Sequence, residues 1–63
     1  MKVTSVTITT DTGSQFNFDE SKHKNLHLLV KDGQIIPNFV ENGEQISYAY
    51  PVSTTIVRYV RPV

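Results

Sequence analysis

The sequence contains no cysteine and no tryptophan, and it has only 2 histidines and 1 methionine among 63 residues. Without cysteine, no disulfide can stabilise the fold, and the redox compartment leaves no mark on the composition. His23 and His27 are too few to predict a structural metal site. No apolar run approaches the roughly 20 residues that a membrane-spanning helix needs. We therefore predict no disulfide, no metal, no cofactor and no contact with a membrane.

An excess of charge of one sign is also missing, because 6 lysines and arginines balance 6 aspartates and glutamates. A neutral chain has no long-range field that would steer it onto nucleic acid or an anionic membrane. Residues 1–6 lack the apolar core of a signal peptide, so we expect a cytoplasmic protein. We expect residues 1–63 to form one domain, which buries only about 60% of its unfolded surface. Self-association or a ligand is then expected to add stability.

What the sequence does contain is short runs rich in valine, isoleucine and threonine, which suit a half-buried pleated sheet. No window has an apolar stripe of helical period, so we expect little or no helix. A tight connection at 51–54, with the length of one 3₁₀ turn, precedes the last run. This pattern predicts an all-β fold, a small single-domain barrel or roll of about five to six short antiparallel strands, SH3-like or Sm-like. The runs that predict strands are 3–10, 15–19, 26–30, 35–40, 45–50 and 55–60.

Turn chemistry predicts how these strands pair. A three-residue loop at 11–13, with Gly13 in the left-handed conformation, pairs Ile8 with Phe16. The dipeptides at 32–33 and 42–43 are Asp-Gly and Asn-Gly, which favour type I′ hairpin turns. The resulting registers place the apolar residues on one face of the sheet. A slip of one residue would move every side chain to the opposite face. That face carries Leu26, Leu28, Val30, Ile35, Pro37, Phe39, Ile46, Tyr48 and Tyr50.

Two strands depart from the simple pattern. Pro37 cannot donate a hydrogen bond from the middle of a central strand, so we expect a bulge or bend at Pro37 and Asn38. In the last strand, 55–60, apolar and polar residues occur on both faces. This predicts an edge or closing strand that meets a second surface, such as another subunit.

The C-terminal part of the chain resembles the second Sm motif of the bacterial Sm-like RNA chaperone family. The segments are 48–54 (YAYPVST), 56–57 (IV) and 61–63 (RPV), and 18–19 (FD) with 25–28 (NLHL) resembles the first Sm motif. The resemblance covers less than half of the chain, and it implies a barrel that forms rings and binds RNA. Two features depart from the family. Ala49 and Tyr50 stand where it has a Lys-His pair that contacts RNA, and its N-terminal helix is not predicted here.

Motifs of catalysis are missing, since the chain has no P-loop, no G-x-G-x-x-G, no H-E-x-x-H and no cysteine nucleophile. Ser21, His23 and Asp19 lie in one loop, with no second element to orient them as a triad. Asp19, Glu20 and His23 offer carboxylate and imidazole ligands, but a solvated loop is the favoured interpretation. We predict that the protein is not an enzyme and has neither catalytic nor metal-ligating residues.

Two groups of residues are candidates for binding a partner or ligand. Lys22, Lys24 and His27 form the only local positive cluster, although Asp19 and Glu20 partly cancel it. The second group, Arg58, Tyr59 and Arg61, combines residue types that are enriched at binding hot spots. Tyr48 and Tyr50 are instead expected in the core, with their hydroxyls at the rim.

The sequence therefore predicts a non-enzymatic small binding module that acts by protein–protein interaction or self-association. A homo-oligomer is expected, and the small size suggests a phage- or mobile-element-type inhibitor by analogy. The alternative is a nucleotide or nucleic-acid binder that holds phosphates with Lys22, Lys24, Arg58 and Arg61 and stacks a base on Tyr59.

Overall fold

The computed structural model describes residues 1–63 and confirms the all-β prediction, since it has no α-helix. The strands are β1 (Ser5–Thr10), β2 (Gln15–Asp19), β3 (Lys24–Lys31), β4 (Gln34–Glu41), β5 (Glu44–Ser47), β6 (Tyr50–Pro51) and β7 (Thr55–Val60). The 3₁₀ turn predicted before the last strand is present at Val52–Thr54. One sheet has the order β2-β1-β7, and the other has the order β3-β4-β5 with β6 also paired to β4. All pairings are antiparallel.

The first hairpin has the predicted register. Ile8 pairs with Phe16 and Val6 with Phe18. Gly13 has φ +86°, and its N–H donates to the carbonyl of Thr10 over 2.9 Å. A positive φ costs glycine little, because glycine has no Cβ, so this residue sets the loop length and with it the register.

The second sheet also follows its predicted turns. Both residues of each turn have positive φ, 53° and 73° at 32–33 and 51° and 76° at 42–43, as a type I′ turn requires. Val30 pairs with Ile35, and Phe39 pairs with Ile46. The predicted pairing of Leu26 with Phe39 is interrupted, because the register shifts between Lys24 and His27.

The bulge expected at Pro37 and Asn38 was wrong, because both residues pair regularly with β3. The Tyr48 N–H donates to the Pro37 carbonyl over 3.1 Å, but proline has no N–H with which to return a bond. The ladder therefore stops at Ser47 and resumes at Tyr50, in the same register. The proline interrupts the neighbouring strand rather than its own.

The core lies between the two sheets and contains side chains from both. Its buried members are Val3, Val6, Ile8, Phe18, Leu26, Leu28, Ile35 and Phe39, with Pro37 also fully buried. Val30 and Tyr48, which the register analysis places on the apolar face, are exposed. Each fully buried aliphatic or phenylalanine side chain contributes about 1.5–3 kcal/mol, so this small set carries most of the stability.

The first residues of the chain connect the sheets. Leu28 donates its N–H to the Met1 carbonyl over 2.8 Å, and the Val3 N–H approaches the Leu26 carbonyl at 3.5 Å. One residue later the chain changes sheet, and the Thr4 N–H donates to the Val60 carbonyl over 2.8 Å. The start of the chain thus covers the outer edge of β3. No helix has the length and apolarity needed to cross a membrane.

Candidate functional site

A concave apolar surface lies where the two sheets separate, between the edge formed by β2 and the edge formed by β5 and β6. Aromatic side chains from both sheets meet there. We call this surface the aromatic groove. Its lining consists of Phe16, Phe18, His23, Phe39, Tyr48 and Tyr50, with Gln15, Asn17 and Glu41 at its margins.

The rings of the aromatic groove form a connected network across the gap between the sheets. The ring centroids of Phe16 and Tyr50 are 5.6 Å apart, and those of Phe18 and Tyr48 are 5.7 Å apart. Phe39 joins the network from below, with its centroid 5.8 Å from that of Phe18. Aromatic pairs favour centroid distances of about 4.5–7 Å, so these contacts hold the two sheet edges together through side chains alone.

His23 closes one end of the aromatic groove. Its ring meets Phe39 edge-on at 4.6 Å and Phe18 at 5.2 Å. The turn after β2 holds it there, because the N–H groups of Lys22 and His23 both donate to the Asp19 carbonyl. The Nδ1 atom of His23 lies 3.2 Å from the Asp19 amide nitrogen and 3.1 Å from its carbonyl oxygen. The imidazole thus covers the main chain at the end of β2.

The rings divide into a buried floor and an exposed rim. Phe18 and Phe39 are buried, whereas Phe16 is 43% and Tyr48 is 48% exposed. Tyr50 is half-buried between them, and this burial, with a smaller repulsion from an ionised Tyr48, raises the pKa of the Tyr50 phenol above its ordinary 10.0. A rim of half-exposed rings over a packed aromatic floor is a surface on which an apolar ligand can remove further ring area from water.

The main chain along β2 is also available. The Thr10 N–H donates to the Ser14 carbonyl, so alternation along the hairpin directs the main-chain groups of Phe16 and Phe18 toward β1. Those of Gln15 and Asn17 point away from β1, into the gap, and β2 has no partner on that side. One side of the aromatic groove therefore offers unpaired N–H and C=O groups.

The charges at the aromatic groove are acidic. Glu41 lines it, and no lysine or arginine does. Asp19 lies beside it at the end of β2. Its carboxylate accepts hydrogen bonds from the Ser21 hydroxyl over 2.7 Å and from the Ser21 amide over 2.9 Å. These bonds hold the pKa of Asp19 below its ordinary 3.8. The site thus has negative charge and no cationic side chain to hold a phosphate.

The predicted basic cluster lies elsewhere. Lys22 and Lys24 line a separate polar depression together with Lys2 and two acids, Glu20 and Glu41, which partly offset the positive charge. His27 does not line this depression. It is exposed on β3, with Nδ1 2.7 Å from the Asn25 carbonyl oxygen.

The residues predicted on the last strand do not share one surface. Arg58 pairs with Thr7 and Tyr59 with Val6, so these neighbours point to opposite faces of the sheet. Tyr59 lies on the core-facing side and is 44% exposed, while Arg61 follows β7 in the exposed tail. Tyr48, expected in the core, is as exposed as Tyr59, which was expected at the surface.

The polar turn after β2 does not assemble an obvious reactive or metal-binding constellation. Ser21 donates its hydroxyl hydrogen bond to Asp19 and not to His23. No group of three or more histidine, aspartate or glutamate side chains is arranged to hold a metal ion. The contacts in this turn instead fix the loop and position the His23 ring against the aromatic groove.

Comparison with protein-family models, with curated proteins and with solved structures found no match. The site must therefore be interpreted from its own residues. Sequence reasoning missed the rim residues Phe16 and Tyr48, because it placed Tyr48 in the core and considered Phe16 only as the partner of Ile8. The available signal was the number of large rings on inward-facing positions, which exceeds what two small sheets can enclose.

Proposed function

We propose that the protein is a binding module that holds an extended segment of a partner protein in the aromatic groove. The observation that carries this proposal is the pair of half-exposed rings, Phe16 and Tyr48, above a buried aromatic floor. Small monomeric domains rarely leave large contiguous rings in water without a binding role. Aromatic side chains also supply much contact area at low entropic cost, which is why they dominate binding hot spots.

The proposed mode of binding is strand addition along β2. The outward N–H and C=O groups of Gln15 and Asn17 provide main-chain hydrogen bonds for an incoming strand. Alternate side chains of that strand then point into the aromatic groove, because side chains alternate across a strand. The main chain would supply affinity, and the rings of Phe16, Tyr48 and Tyr50 would select large apolar side chains.

Charge selects the composition of the segment. Glu41 at the margin favours a ligand with lysine or arginine next to its apolar residues. The same charge disfavours a nucleic acid in the aromatic groove, because no lysine or arginine lines the groove to offset repulsion between Glu41 and the phosphates. Lys22 and Lys24 share their depression with Lys2 and two acids, and Arg58 and Tyr59 lie on opposite faces, so the residues of the nucleotide alternative do not form one site.

The finer features of the fold belong to this proposal as well. A 3₁₀ turn before the last strand, and an N-terminal segment that bonds to β3 at residues 1–3 before β1 joins the other sheet, support an SH3-like or Sm-like arrangement. A cytoplasmic location and a role as a phage- or mobile-element-type inhibitor stay predictions, the second from size alone.

The test is a selection from a random-peptide library displayed on phage, with wild-type protein as bait and the Tyr48→Ala variant as the counter-selecting bait. Selected peptides are then measured by isothermal titration calorimetry. We expect apolar peptides that carry lysine or arginine and bind Tyr48→Ala about tenfold more weakly or worse. Amide shifts on binding should centre on Gln15–Phe18.

The matched control is Tyr59→Ala, which removes an equally exposed tyrosine that does not line the aromatic groove. Its affinity for the same peptides should equal that of the wild type. Oligothymidine and ATP at low salt are titrated in parallel. The proposal is overturned if no peptide distinguishes the two baits, or if only the nucleic-acid probes bind.

A further inference from the structure

The fold has three strand edges without a neighbour, and two of them, β2 and β5–β6, border the aromatic groove. The β2 edge is covered at its Asp19 end by the His23 ring. The β5–β6 edge is interrupted after Ser47 and ends in Pro51. The β7 edge has neither feature, because Thr55–Val60 is continuous, lacks proline and pairs without a shift with β1. Native proteins usually blunt an exposed edge, so an unprotected one indicates a pairing surface.

The side chains of β7 also suit a contact. Ile56 is 74% exposed on the outer face, the highest value for any large hydrophobic residue inside a strand. Val60 is exposed on the same face, and Arg58 stands between the two. A charged residue is the one blunting device on this strand, and it points out of the sheet rather than along its edge.

The ladder with β1 fixes which main-chain groups of β7 are available. The Val60 carbonyl accepts from Thr4, so alternation directs the main-chain groups of Ile56 and Arg58 toward β1 as well. The N–H groups of Val57 and Tyr59 point outward. The Thr55 N–H is bound to the Val52 carbonyl, which leaves only the outward carbonyl of Thr55 available.

We infer that β7 pairs antiparallel with β7 of a second copy of this chain, about a two-fold axis at Val57, which extends one sheet across both subunits. The Val57 residues of the two copies exchange both main-chain hydrogen bonds. The Tyr59 N–H of each copy donates to the Thr55 carbonyl of the other. The outward N–H groups of Val57 and Tyr59 then each have an acceptor in the other copy. The Thr55 N–H already donates to the Val52 carbonyl, so it needs no partner in the dimer.

Charge selects this register. With the axis at Val57, Ile56 lies opposite Arg58 of the partner subunit, so the arginine stem covers the exposed isoleucine. With the axis at Arg58, the two arginines would lie directly opposite each other in a closely spaced pair, which is destabilising.

A second copy fits this edge because the strand is self-complementary in that register. A two-fold interface uses the same surface on both subunits. The formal net charge of the chain is zero, so no long-range repulsion opposes the approach of two copies. The chain buries only 9 of its 63 residues, and domains of this size commonly gain stability from association.

The test introduces and exchanges charged side chains on the outer face of β7. The association state is measured by sedimentation equilibrium up to millimolar concentration. The wild type should dimerise. Ile56→Lys places two like charges opposite each other twice per dimer and should raise the dissociation constant about tenfold or more. Adding Arg58→Glu restores opposite charges in the Val57-centred register, so the double variant should dimerise again. Circular dichroism should confirm that both variants fold, since both positions are exposed.

Amide hydrogen exchange gives an independent readout of the interface. In the wild type, protection at Val57 and Tyr59 should rise with protein concentration. Protection at Ile56 and Arg58, which bond to β1, should not change, and these amides are the internal control. The inference is overturned by a wild type that stays monomeric, by a double variant that stays as weak as Ile56→Lys, or by a dimer that leaves Val57 unprotected.

Discussion

The aromatic groove has a buried floor and an exposed rim, and two alanine substitutions should separate their contributions to stability. Phe39→Ala removes a floor ring, and Tyr48→Ala removes a rim ring from the same network, with the two centroids 6.2 Å apart. We expect Phe39→Ala to unfold the domain and Tyr48→Ala to leave it folded. A loss of ligand binding in the second variant would then report on the site and not on the fold.

The expected losses of folding free energy follow from how exposed each ring is. Phe39 is 2% exposed, and truncation of a buried phenylalanine costs about 3–5 kcal/mol. A domain of this size has a total stability of about 3–5 kcal/mol, so this loss removes essentially all of it. Tyr48 is 48% exposed, so truncation loses roughly 100 Å² of buried area, or about 2 kcal/mol after a discount for a compact unfolded chain. The folded state stays dominant.

The assay is urea unfolding followed by far-ultraviolet circular dichroism. With an m-value of about 1 kcal/mol/M, Tyr48→Ala should lower the midpoint by about 2 M, and Phe39→Ala should show no folded baseline. Tyr59→Ala is the control of equal exposure and should resemble Tyr48→Ala. If Phe39→Ala were no more destabilising than Tyr48→Ala, the division into floor and rim would be wrong.

Two further predictions concern pKa values. Ser21→Ala removes the hydroxyl bond to Asp19 and should raise the Asp19 pKa toward 3.8 in a carbon-13 NMR titration. Since folding lowers this pKa, the stabilising contribution of Asp19 is present above the unfolded pKa and is lost as pH falls through the folded value, and an unchanged pKa in the variant would contradict the role of Ser21. Phe16→Ala should expose Tyr50 and lower its raised pKa toward 10.0 in an ultraviolet titration. In the wild type the unfolded phenol loses its proton first, so stability should fall as pH rises past 10.0, and an unshifted pKa in the variant would mean that Phe16 does not shield Tyr50.

The three hairpin pairings were predictable because the turns between their strands determined them, whereas the pairing of β1 with β7 was not predicted. Glycine at 13, 33 and 43 sets three loop lengths, and each loop length sets one register. The alternation of apolar residues then decides which face is buried, since a slip by one residue reverses it. The same reasoning predicted that β7 lies at an edge or closes the sheet, and in the structure it is an edge strand.

The aromatic groove was not predictable in this way, because it depends on how two sheets meet rather than on any one hairpin. Phe16 was placed correctly opposite Ile8, but its exposure follows from the absence of a strand beyond β2. The position of the register shift in β3 was also not predictable from the sequence. Asn25 adopts φ 57° where β3 changes register, while Pro37, the obvious candidate, stays regular. Asparagine tolerates the left-handed conformation, but the sequence does not state where it is used.

Pro37 does not line the aromatic groove, but it affects the hydrogen bonding of a residue that does. Because Pro37 has no N–H, the Tyr48 carbonyl receives no hydrogen bond from it, although the Tyr48 N–H donates to Pro37 and the ladder continues in register on both sides. Tyr48 therefore lies at the interruption between β5 and β6, where its main chain has one hydrogen bond to β4 instead of two. A buried proline one strand away thus determines the main-chain hydrogen bonding of a residue that lines the aromatic groove.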